Sequence, residues 1–340
     1  MIGRRIIRRL LRTVAFGLLI VVGGVAVLAL VLRATNPEPS DQPGWQRAPD
    51  MPLARGEVAA ANAGDQLVVA GGLRGLTTTS RDVGVYDVGK NEWREGRRLP
   101  AGRHHAAAAA LSGRVYVSGG ASGVIDWKPR TNLWRSKPGG RWEQLAPMPE
   151  GRQGHAMVAL RGKLYVIGGV GPTDRTLVYD PESNEWTTAA RLPSGRDHLR
   201  AAVWEKKVWV LGGRSKAPTR RVDVYDPHND EWKRGPNLPE SMSAMAVGVV
   251  DGDLHVVGGE DPGLIRGRVS STHVALGRSN GRWVKWQQPP LPVHGAAFGV
   301  YEDHLFIAGG ASRPGALSTI AWTGSTQVFS GPRVVSDRED

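Results

Sequence analysis

Cysteine is absent from the 340 residues of this chain. A disulfide scaffold, a thiolate metal site and cysteine-based nucleophilic catalysis are therefore excluded, although the compartment is not fixed by this absence. The sequence also lacks a phosphate-binding loop, a zinc-ligand spacing, a Ser-His-Asp pattern and a dinucleotide-binding fingerprint. From these absences we expect neither a cofactor nor a metal ion.

Acidic residues are missing from the amino-terminal segment, and arginine is abundant there. The arginines before Ala34 are Arg4, Arg5, Arg8, Arg9, Arg12 and Arg33. They account for half of the formal net charge of +12. The excess carried by the rest of the chain is small for its size, so nucleic acid is not an expected partner.

Residues 13–32 form an uncharged apolar stretch that follows the basic residues 1–12. About 20 apolar residues suffice for a transmembrane helix, and the arginine bias places residues 1–12 in the cytoplasm. The sequence thus predicts a signal anchor in the cell membrane, with a single pass and the rest of the chain on the extracytoplasmic side. A cleaved signal peptide is the alternative, but its apolar core is usually only about 7–15 residues long. Residues 33–44 are interpreted as a proline-rich linker.

A double glycine ends an apolar run six times along the chain. The second glycines of these pairs are Gly72, Gly120, Gly169, Gly213, Gly259 and Gly310. Their spacing of roughly 44–51 residues is typical of the blades of a β-propeller. Each repeat is predicted to form a four-stranded sheet. One such sheet cannot bury both of its faces, but six sheets arranged around an axis bury the faces of one another.

Each unit continues with a strand such as Leu177–Pro181, a polar turn, and a strand headed by tryptophan. Large tryptophans fit the wide outer gaps between blades, and we interpret them as core residues rather than as ligand platforms. Trp93, Trp142, Trp186 and Trp232 occupy this position.

The spacing between tryptophan and proline predicts how the ring closes. Trp186 and Pro193 are seven residues apart, as are Trp45 and Pro52, yet no complete blade precedes Trp45. The last unit, after Gly310, has no clear strand of this kind. We therefore predict that the Trp45 strand completes the sixth blade, so that residues 45–329 form one closed domain followed by a flexible tail at 330–340.

The double glycine, the Tyr-Asp strand that follows it and the spaced tryptophan resemble the kelch repeat. Tyr86, Tyr179 and Tyr225 carry the Tyr-Asp feature. The resemblance implies an all-β fold, a six-bladed kelch-type β-propeller, preceded here by one transmembrane helix. It does not imply one function, because kelch propellers include binding modules and a few enzymes.

Two sets of connections meet on one face of such a propeller, and the sequence places its binding candidates there. Arginine forks suit carboxylates, and the matching arginines of kelch adaptors line the surface that grips acidic peptides. An alternative is that each arginine caps its own turn or pairs with a nearby acid, and that the histidines bond backbone. The predicted ligand-binding residues are Arg55, Arg103, Arg152, Arg196, His105, His155, His198 and His294.

Two functions from different classes follow. The first, which we favour, is a membrane-tethered extracytoplasmic module that binds an unknown protein or an acidic glycan. The second is an enzyme that modifies an anionic sugar. Such an enzyme would resemble the kelch sialic acid epimerases (mutarotases) and use Glu57 or His198 for proton transfer. No catalytic residue is assigned. A copper radical oxidase needs a cysteine cross-linked to tyrosine, which this chain cannot supply.

Overall fold

The computed structural model of the chain describes residues 34–75, 78–123, 127–170, 174–263 and 267–330, together with Gly23, Val27 and Leu30. The chain divides into two compact units, residues 1–37 and residues 38–340. The predicted membrane segment, 13–32, lies almost wholly outside the described residues, as does the predicted tail. Within the described part of the chain, no helix combines the length and hydropathy needed to cross a bilayer.

The larger unit is built from short strands. In chain order, the first strands are β1 (Trp45–Ala48), β2 (Ala59–Ala63), β3 (Gln66–Ala70), β4 (Leu73–Arg74), β5 (Thr78–Thr79), β6 (Val83–Asp87) and β7 (Glu92–Gly96). There follow β8 (Ala107–Leu111), β9 (Arg114–Ser118), β10 (Leu133–Ser136), β11 (Glu143–Gln144), β12 (Ala156–Leu160), β13 (Lys163–Ile167), β14 (Thr176–Asp180) and β15 (Glu185–Ala189).

The second half repeats the pattern. Its strands are β16 (Arg200–Trp204), β17 (Lys207–Leu211), β18 (Val222–Asp226), β19 (Glu231–Arg234), β20 (Ala246–Val250), β21 (Asp253–Val257), β22 (Glu260–Asp261), β23 (Arg268–Val269), β24 (His273–Leu276), β25 (Trp283–Lys285), β26 (Ala297–Tyr301), β27 (His304–Ala308) and β28 (Thr326–Phe329). A 3₁₀ helix, Gly315–Ile320, lies between the last two strands.

Most of these strands form six antiparallel four-stranded sheets, which are the blades of a propeller, while β4 pairs with β5 and β22 with β23 in two small ribbons. Blades one to six have the orders β2-β3-β6-β7, β8-β9-β10-β11, β12-β13-β14-β15, β16-β17-β18-β19, β20-β21-β24-β25 and β26-β27-β28-β1. The first strand of each blade packs against its counterparts around the axis. Small residues dominate there, as in the AAANA of β2, because side chains have little room where six sheets converge.

The outer tryptophans join neighbouring blades. The indole N–H of Trp93 donates to the carbonyl of Pro49, that of Trp186 to Ala146, and that of Trp232 to Ala190, at 2.8–2.9 Å. Each acceptor belongs to the segment just after the outermost strand of the preceding blade. A bond of this kind contributes about 1 kcal/mol net, and its repetition sets the spacing between blades.

The amino-terminal strand completes the sixth blade. β1 pairs antiparallel with β28, with Trp45 opposite Phe329 and Ala48 opposite Thr326. The Trp45 side chain is buried at 7% exposure, and its ring centroid lies 5.2 Å from that of Phe329. Both ends of the propeller domain are thereby held in one sheet, and the six blades form a closed ring.

The double glycine is required by close approach between blades. Gly168 has a φ of +67°, and a Cβ at this position would lie 2.6 Å from the carbonyl oxygen of Arg196 in the next repeat. Gly169 also has a positive φ, of +94°. A side chain here would be strained and would collide with backbone, so glycine is the residue that permits this packing.

Candidate functional site

A three-residue segment before the first strand of each blade organises one face of the propeller. We call its last residue the ring position; the ring positions are Glu57, His105, Gly154, His198, Ala244 and Gly295. All six have φ between 51° and 61°. The preceding residue forms an isolated bridge with the residue just after the double glycine in every blade, as Asp197 does with Arg214.

Backbone hydrogen bonds link the ring positions into a closed circle. The N–H of His105 donates to the carbonyl of Glu57 at 2.9 Å, Gly154 donates to His105 at 2.8 Å, and His198 donates to Gly154 at 2.7 Å. Ala244, Gly295 and Glu57 continue the series at 2.8, 3.0 and 2.7 Å and return to the start. Six positions far apart in sequence are therefore fixed around one axis.

The arginines two residues before the ring positions are mostly buried. Arg55, Arg152 and Arg196 are 2%, 0% and 2% exposed. Met242 and Val293 occupy the same place in blades five and six and are also buried. Since an apolar side chain replaces arginine in two blades, the position is a packing position, and this favours the structural alternative over a ligand-binding role.

The partners of these arginines lie within the propeller. Arg196 pairs with the carboxylate of Asp223 at 2.9 Å and donates to the carbonyl of Gly212 at 2.6 Å. Arg152 pairs with Glu150 at 2.7 Å. Arg55 donates to the carbonyl of Val69 at 3.2 Å, and burial lowers the pKa of its guanidinium to about 10, which leaves it charged at neutral pH.

Two further predicted binding residues also have internal partners. Arg103 donates to Asn132 at 2.8 Å and to Ser122 at 2.6 Å, and its guanidinium lies 5.0 Å from the ring centroid of Trp134. The buried His155 forms a 2.8 Å hydrogen bond with the hydroxyl of Ser118. Burial lowers the pKa of His155 to about 3, so its imidazole is neutral at physiological pH. Ligand binding by these residues stays a prediction.

The other three predicted residues converge at the axis. The donor atoms of Glu57, His105 and His198 all lie within 4.8 Å of one another. His294 joins them, with its Nδ1 3.6 Å from Oε1 of Glu57. All four side chains are buried. We call Glu57, His105, His198 and His294 the axial cluster.

Hydrogen bonds fix the tautomer of His105. Nε2 of His104 lies 2.9 Å from the carbonyl of Gly123, which can only accept, so this nitrogen carries the proton. The bare Nδ1 of His104 then accepts from Nδ1–H of His105 at 2.5 Å. The remaining nitrogen of His105, Nε2, is left with a lone pair, and it lies 3.4 Å from Oε2 of Glu57. Burial lowers the pKa of His105 well below its ordinary value, which keeps the imidazole neutral.

His294 faces the other carboxylate oxygen of Glu57. Its Nε2–H donates to the carbonyl of Arg313 at 2.9 Å, and its Nδ1, which faces Glu57, has no hydrogen-bond partner. Burial opposes protonation, but the adjacent carboxylates of Glu57 and Glu260 raise the pKa of His294 above its ordinary value.

His198 is oriented by a carboxylate and a guanidinium. Its Nδ1–H donates to Asp197 at 2.5 Å, and its Nε2 accepts from Arg214 at 3.1 Å. Arg214 also pairs with Glu260 at 3.1 Å. Asp197, Arg214 and Glu260 thus form a chain of charged partners beside the axial cluster, and Glu260 approaches Nε2 of His294 at 3.5 Å.

Glycine at two ring positions makes room for these side chains. A Cβ on Gly295 would lie 2.5 Å from Oε1 of Glu57, and a Cβ on Gly154 would lie 3.1 Å from Nδ1 of His198. The smallest residue therefore stands where a larger one would displace a member of the cluster.

The loops after the double glycines surround the cluster and form what we call the mouth. Trp127 lies in the loop of blade two, where its ring is 4.8 Å from that of His104 and 5.1 Å from that of His105. Its side chain is 46% exposed. Val170 and Leu317, in the loops of blades three and six, are 37% and 44% exposed.

Sequence analysis did not identify Asp197 and Glu260 as site residues, and it did not predict that three metal-ligating side chains would meet. The sequence did contain a pattern that could have identified Glu260 as a site residue. The residue after the double glycine is apolar in four units but is Arg214 in the fourth and Glu260 in the fifth. Two adjacent blades with opposite charges at one repeat position point to an ion pair between them.

The fold is a closed six-bladed β-propeller, and one of its faces carries the axial cluster and the mouth. The model of the KLHDC2/KLHL20/DRC7 Kelch-repeats domain matches residues 41–213, and that of the Kelch motif matches residues 195–239. The chain therefore belongs to the kelch-repeat family.

One curated protein and one solved structure are similar to this chain. A segment of 38 residues is 53% identical to Kelch-like protein 15 of Danio rerio and covers 11% of this chain and 6% of that protein. The solved structure of YjhT superimposes with a TM-score of 0.72 at 18% identity and covers 82% of this chain and 95% of that chain. At this level of identity the structural likeness concerns the fold.

Proposed function

We propose that this propeller is a binding module whose mouth receives an acidic segment of a partner protein. The observation that carries the proposal is the exposed indole of Trp127, which packs at a tilt against His105 of the axial cluster. Exposed aromatic side chains beside a concavity are frequent anchors of protein interfaces. Kelch propellers typically bind proteins, which supports the same function.

The charge of the mouth supports an acidic ligand. Basic residues outnumber acidic ones in the described parts of these loops, where the acidic residues include Asp174 and Asp261. A concave surface of one sign attracts ligands of the other and raises their association rate. The basic residues include Arg74, Lys128, Arg130, Arg175, Arg214, Lys216 and Arg313.

The test is selection of ligands from a random 12-residue peptide display library on the immobilised full-length chain. We expect enrichment of peptides that combine Asp or Glu with an apolar residue. Affinity for these peptides falls at least tenfold in Trp127→Ala, because truncation of an anchor residue costs about 2 kcal/mol or more. It falls less in Lys216→Ala, whose charge acts mainly through salt-dependent steering.

Lys90→Ala is the matched control, because Lys90 is exposed in the turn between β6 and β7 on the opposite face. Its peptide affinity stays at the wild-type value. Peptides that bind wild type and Trp127→Ala equally would contradict the mouth as the binding surface. Enrichment of acidic oligosaccharides on a glycan array, with no enriched peptide, would replace the protein partner by an acidic glycan.

Tethering to the cell membrane is a separate part of the proposal. Residues 13–32 lack charge and follow five arginines, which favours a single-pass anchor with the propeller on the extracytoplasmic side. Alkaline carbonate extraction tests anchoring, and protease accessibility of the propeller in intact cells tests its side. Release by carbonate would refute the anchor, whereas protection from protease would refute the orientation.

An anionic-sugar epimerase is the second candidate. The arrangement that favours it is His198, oriented by Asp197 and adjacent to Arg214, because a positioned imidazole can transfer a proton beside a guanidinium that binds a carboxylate. Anomer exchange of sialic acid, followed by NMR with and without the protein, decides this function. Acceleration that disappears in His198→Gln would support it, and an unchanged exchange rate would refute it.

A further inference from the structure

We propose that Glu57, His105 and His198 bind one divalent first-row transition-metal ion on the propeller axis, a site that goes beyond the proposed partner-binding function. Two imidazole nitrogens and a carboxylate oxygen form a donor set that such ions favour. The three residues come from blades one, two and four and are held by the backbone ring. The site is therefore built by the propeller itself and not by a mobile loop.

The first argument is that two hydrogen-bond acceptors, Nε2 of His105 and Oε2 of Glu57, point their lone pairs at each other. The hydrogen-bond network leaves Nε2 of His105 without a proton, and this nitrogen faces Oε2 of Glu57 at 3.4 Å. Two buried acceptors that face each other are unfavourable unless something positive lies between them. Donors that share one tetrahedral ion at about 2.1 Å lie about 3.4 Å apart, which matches this separation.

The second argument is the arrangement around the donors. Metal-bound histidines usually donate their second nitrogen to a carboxylate or another acceptor. Here Nδ1–H of His198 donates to Asp197, and Nδ1–H of His105 donates to His104. Both imidazoles therefore direct Nε2 to the metal. On binding the ion, Nε2 of His198 would give up the 3.1 Å hydrogen bond that it accepts from Arg214.

The third argument is the charge and space at the cluster. The carboxylates of Glu57, Asp197 and Glu260 lie beside the imidazoles of the cluster, and carboxylate oxygens next to imidazole nitrogens suit a cation. The buried Nδ1 of His294 has no hydrogen-bond partner and faces Oε1 of Glu57 at 3.6 Å. Gly154 and Gly295 leave the volume that larger side chains would fill.

Three protein donors leave at least one coordination position for water or for a group of a bound partner. One of the donor residues, His105, packs against the partly exposed indole of Trp127 in the mouth, with ring centroids 5.1 Å apart. The ion would therefore form the floor of the mouth.

The test uses the purified full-length chain, stripped with EDTA, and ZnCl2 or CoCl2 as probes. We expect one equivalent of zinc per chain after gel filtration and a rise in Tm of several degrees. Cobalt gives visible absorption bands of a nitrogen- and oxygen-liganded ion. X-ray absorption spectroscopy of the wild-type protein with zinc bound is expected to show two imidazole ligands. This measurement does not require a variant to fold.

The variants locate the ion. Glu57→Gln and His198→Gln lose at least tenfold in zinc affinity, and Asp197→Asn, which removes a positioning group, loses about 10–100-fold. His304→Gln, at an exposed histidine outside the cluster, binds as wild type does. The Tm of each variant in EDTA separates loss of metal from loss of fold.

Two results would overturn the site. One is a wild-type chain that takes up less than about a tenth of an equivalent of zinc, cobalt, manganese or iron(II) under conditions where it is folded. The other is zinc binding that persists in both Glu57→Gln and His198→Gln. Persistence there with loss in His255→Phe would assign the ion to the His255–His273 pair instead.

Discussion

The carbonyl oxygen of Gly295 accepts a 2.7 Å hydrogen bond from the N–H of Glu57, and this bond joins the sixth blade to the first at the axis. The same glycine lies against the Glu57 side chain, since a Cβ on it would stand 2.5 Å from Oε1. One residue therefore serves both the closure of the ring and the position of the central carboxylate.

Replacement of Gly295 by alanine is expected to lower the free energy of unfolding. The loss should exceed the cost of placing alanine in the left-handed backbone conformation of this position. Gly64→Ala is the matched control, because Gly64 has φ +65°, close to the +61° of Gly295, and no atom lies within 4 Å of its added Cβ. The left-handed conformation costs about 1–2 kcal/mol in each variant. Gly295→Ala costs roughly 1–3 kcal/mol more, because it forces Glu57 to move. Urea unfolding measures both, and equal losses would contradict the close approach.

Arg196→Met tests whether this arginine supports the fold. Removal of one partner from a buried ion pair costs about 3–5 kcal/mol, because Asp223 keeps only Arg221 as a charged partner. The double variant Arg196→Met/Asp223→Val, which copies the residues of blade five, is expected to regain much of this loss. Denaturant unfolding of both variants provides the measurement. Unchanged stability, together with weaker binding of acidic peptides, would instead assign Arg196 to the ligand site.

Acid is expected to destabilise the junction of blades five and six. Nδ1–H of His255 donates to Nε2 of His273 at 2.9 Å, and Nδ1–H of His273 donates to the carbonyl of Gln287 at 2.8 Å. Burial lowers the pKa of His255 to about 4 and that of His273 to about 3. Protonation of His273 at Nε2 would place two N–H donors against each other, and protonation of His255 would add a buried charge.

Because both folded-state pKa values lie below about 6.5, the value in the unfolded chain, the neutral pair contributes its full stability above pH about 6.5. This contribution falls as the pH drops toward 4 and then 3, by up to about 1.4 kcal/mol per pH unit for each histidine. His255→Phe, which copies Phe306 at the same register of blade six, gives a shallower dependence of Tm on pH. Parallel curves for variant and wild type would exclude this pair as the cause.

Trp45→Ala is expected to weaken the closing strand. The Trp45 ring packs against Phe329 and His273, and its N–H donates to the carbonyl of Gln287 at 3.0 Å. Loss of a buried tryptophan costs about 3–5 kcal/mol, and hydrogen exchange should become faster in β28, its partner strand. Gln46→Ala, at the exposed neighbouring position, serves as the control. Equal exchange rates in β28 for the two variants would show that β1 does not hold the sixth blade.

Several features of the fold could be predicted because they repeat. The double glycine marks one strand end in every unit, since only glycine tolerates the backbone approach seen at Gly168. The spacing of Trp45 and Pro52 identified the closing strand, because an outer strand without a blade must pair elsewhere. The amino-terminal anchor rests on composition alone and stays a prediction.

The site was only partly predictable. The arginines before the ring positions were expected at the mouth, but Arg55, Arg152 and Arg196 are buried. Whether an arginine at this position faces solvent depends on the carbonyls and carboxylates below it, such as those of Gly212 and Asp223, and no local pattern encodes that distance.

The sequence by itself determined the repeat, the number of blades and the strand that joins the ends, because each depends on short-range spacing and on residues with one steric role. The tertiary structure decided which polar groups are buried and which meet. Glu57, His105, His198 and His294 lie in four different blades, and only the closed circle of backbone hydrogen bonds brings their side chains to one axis.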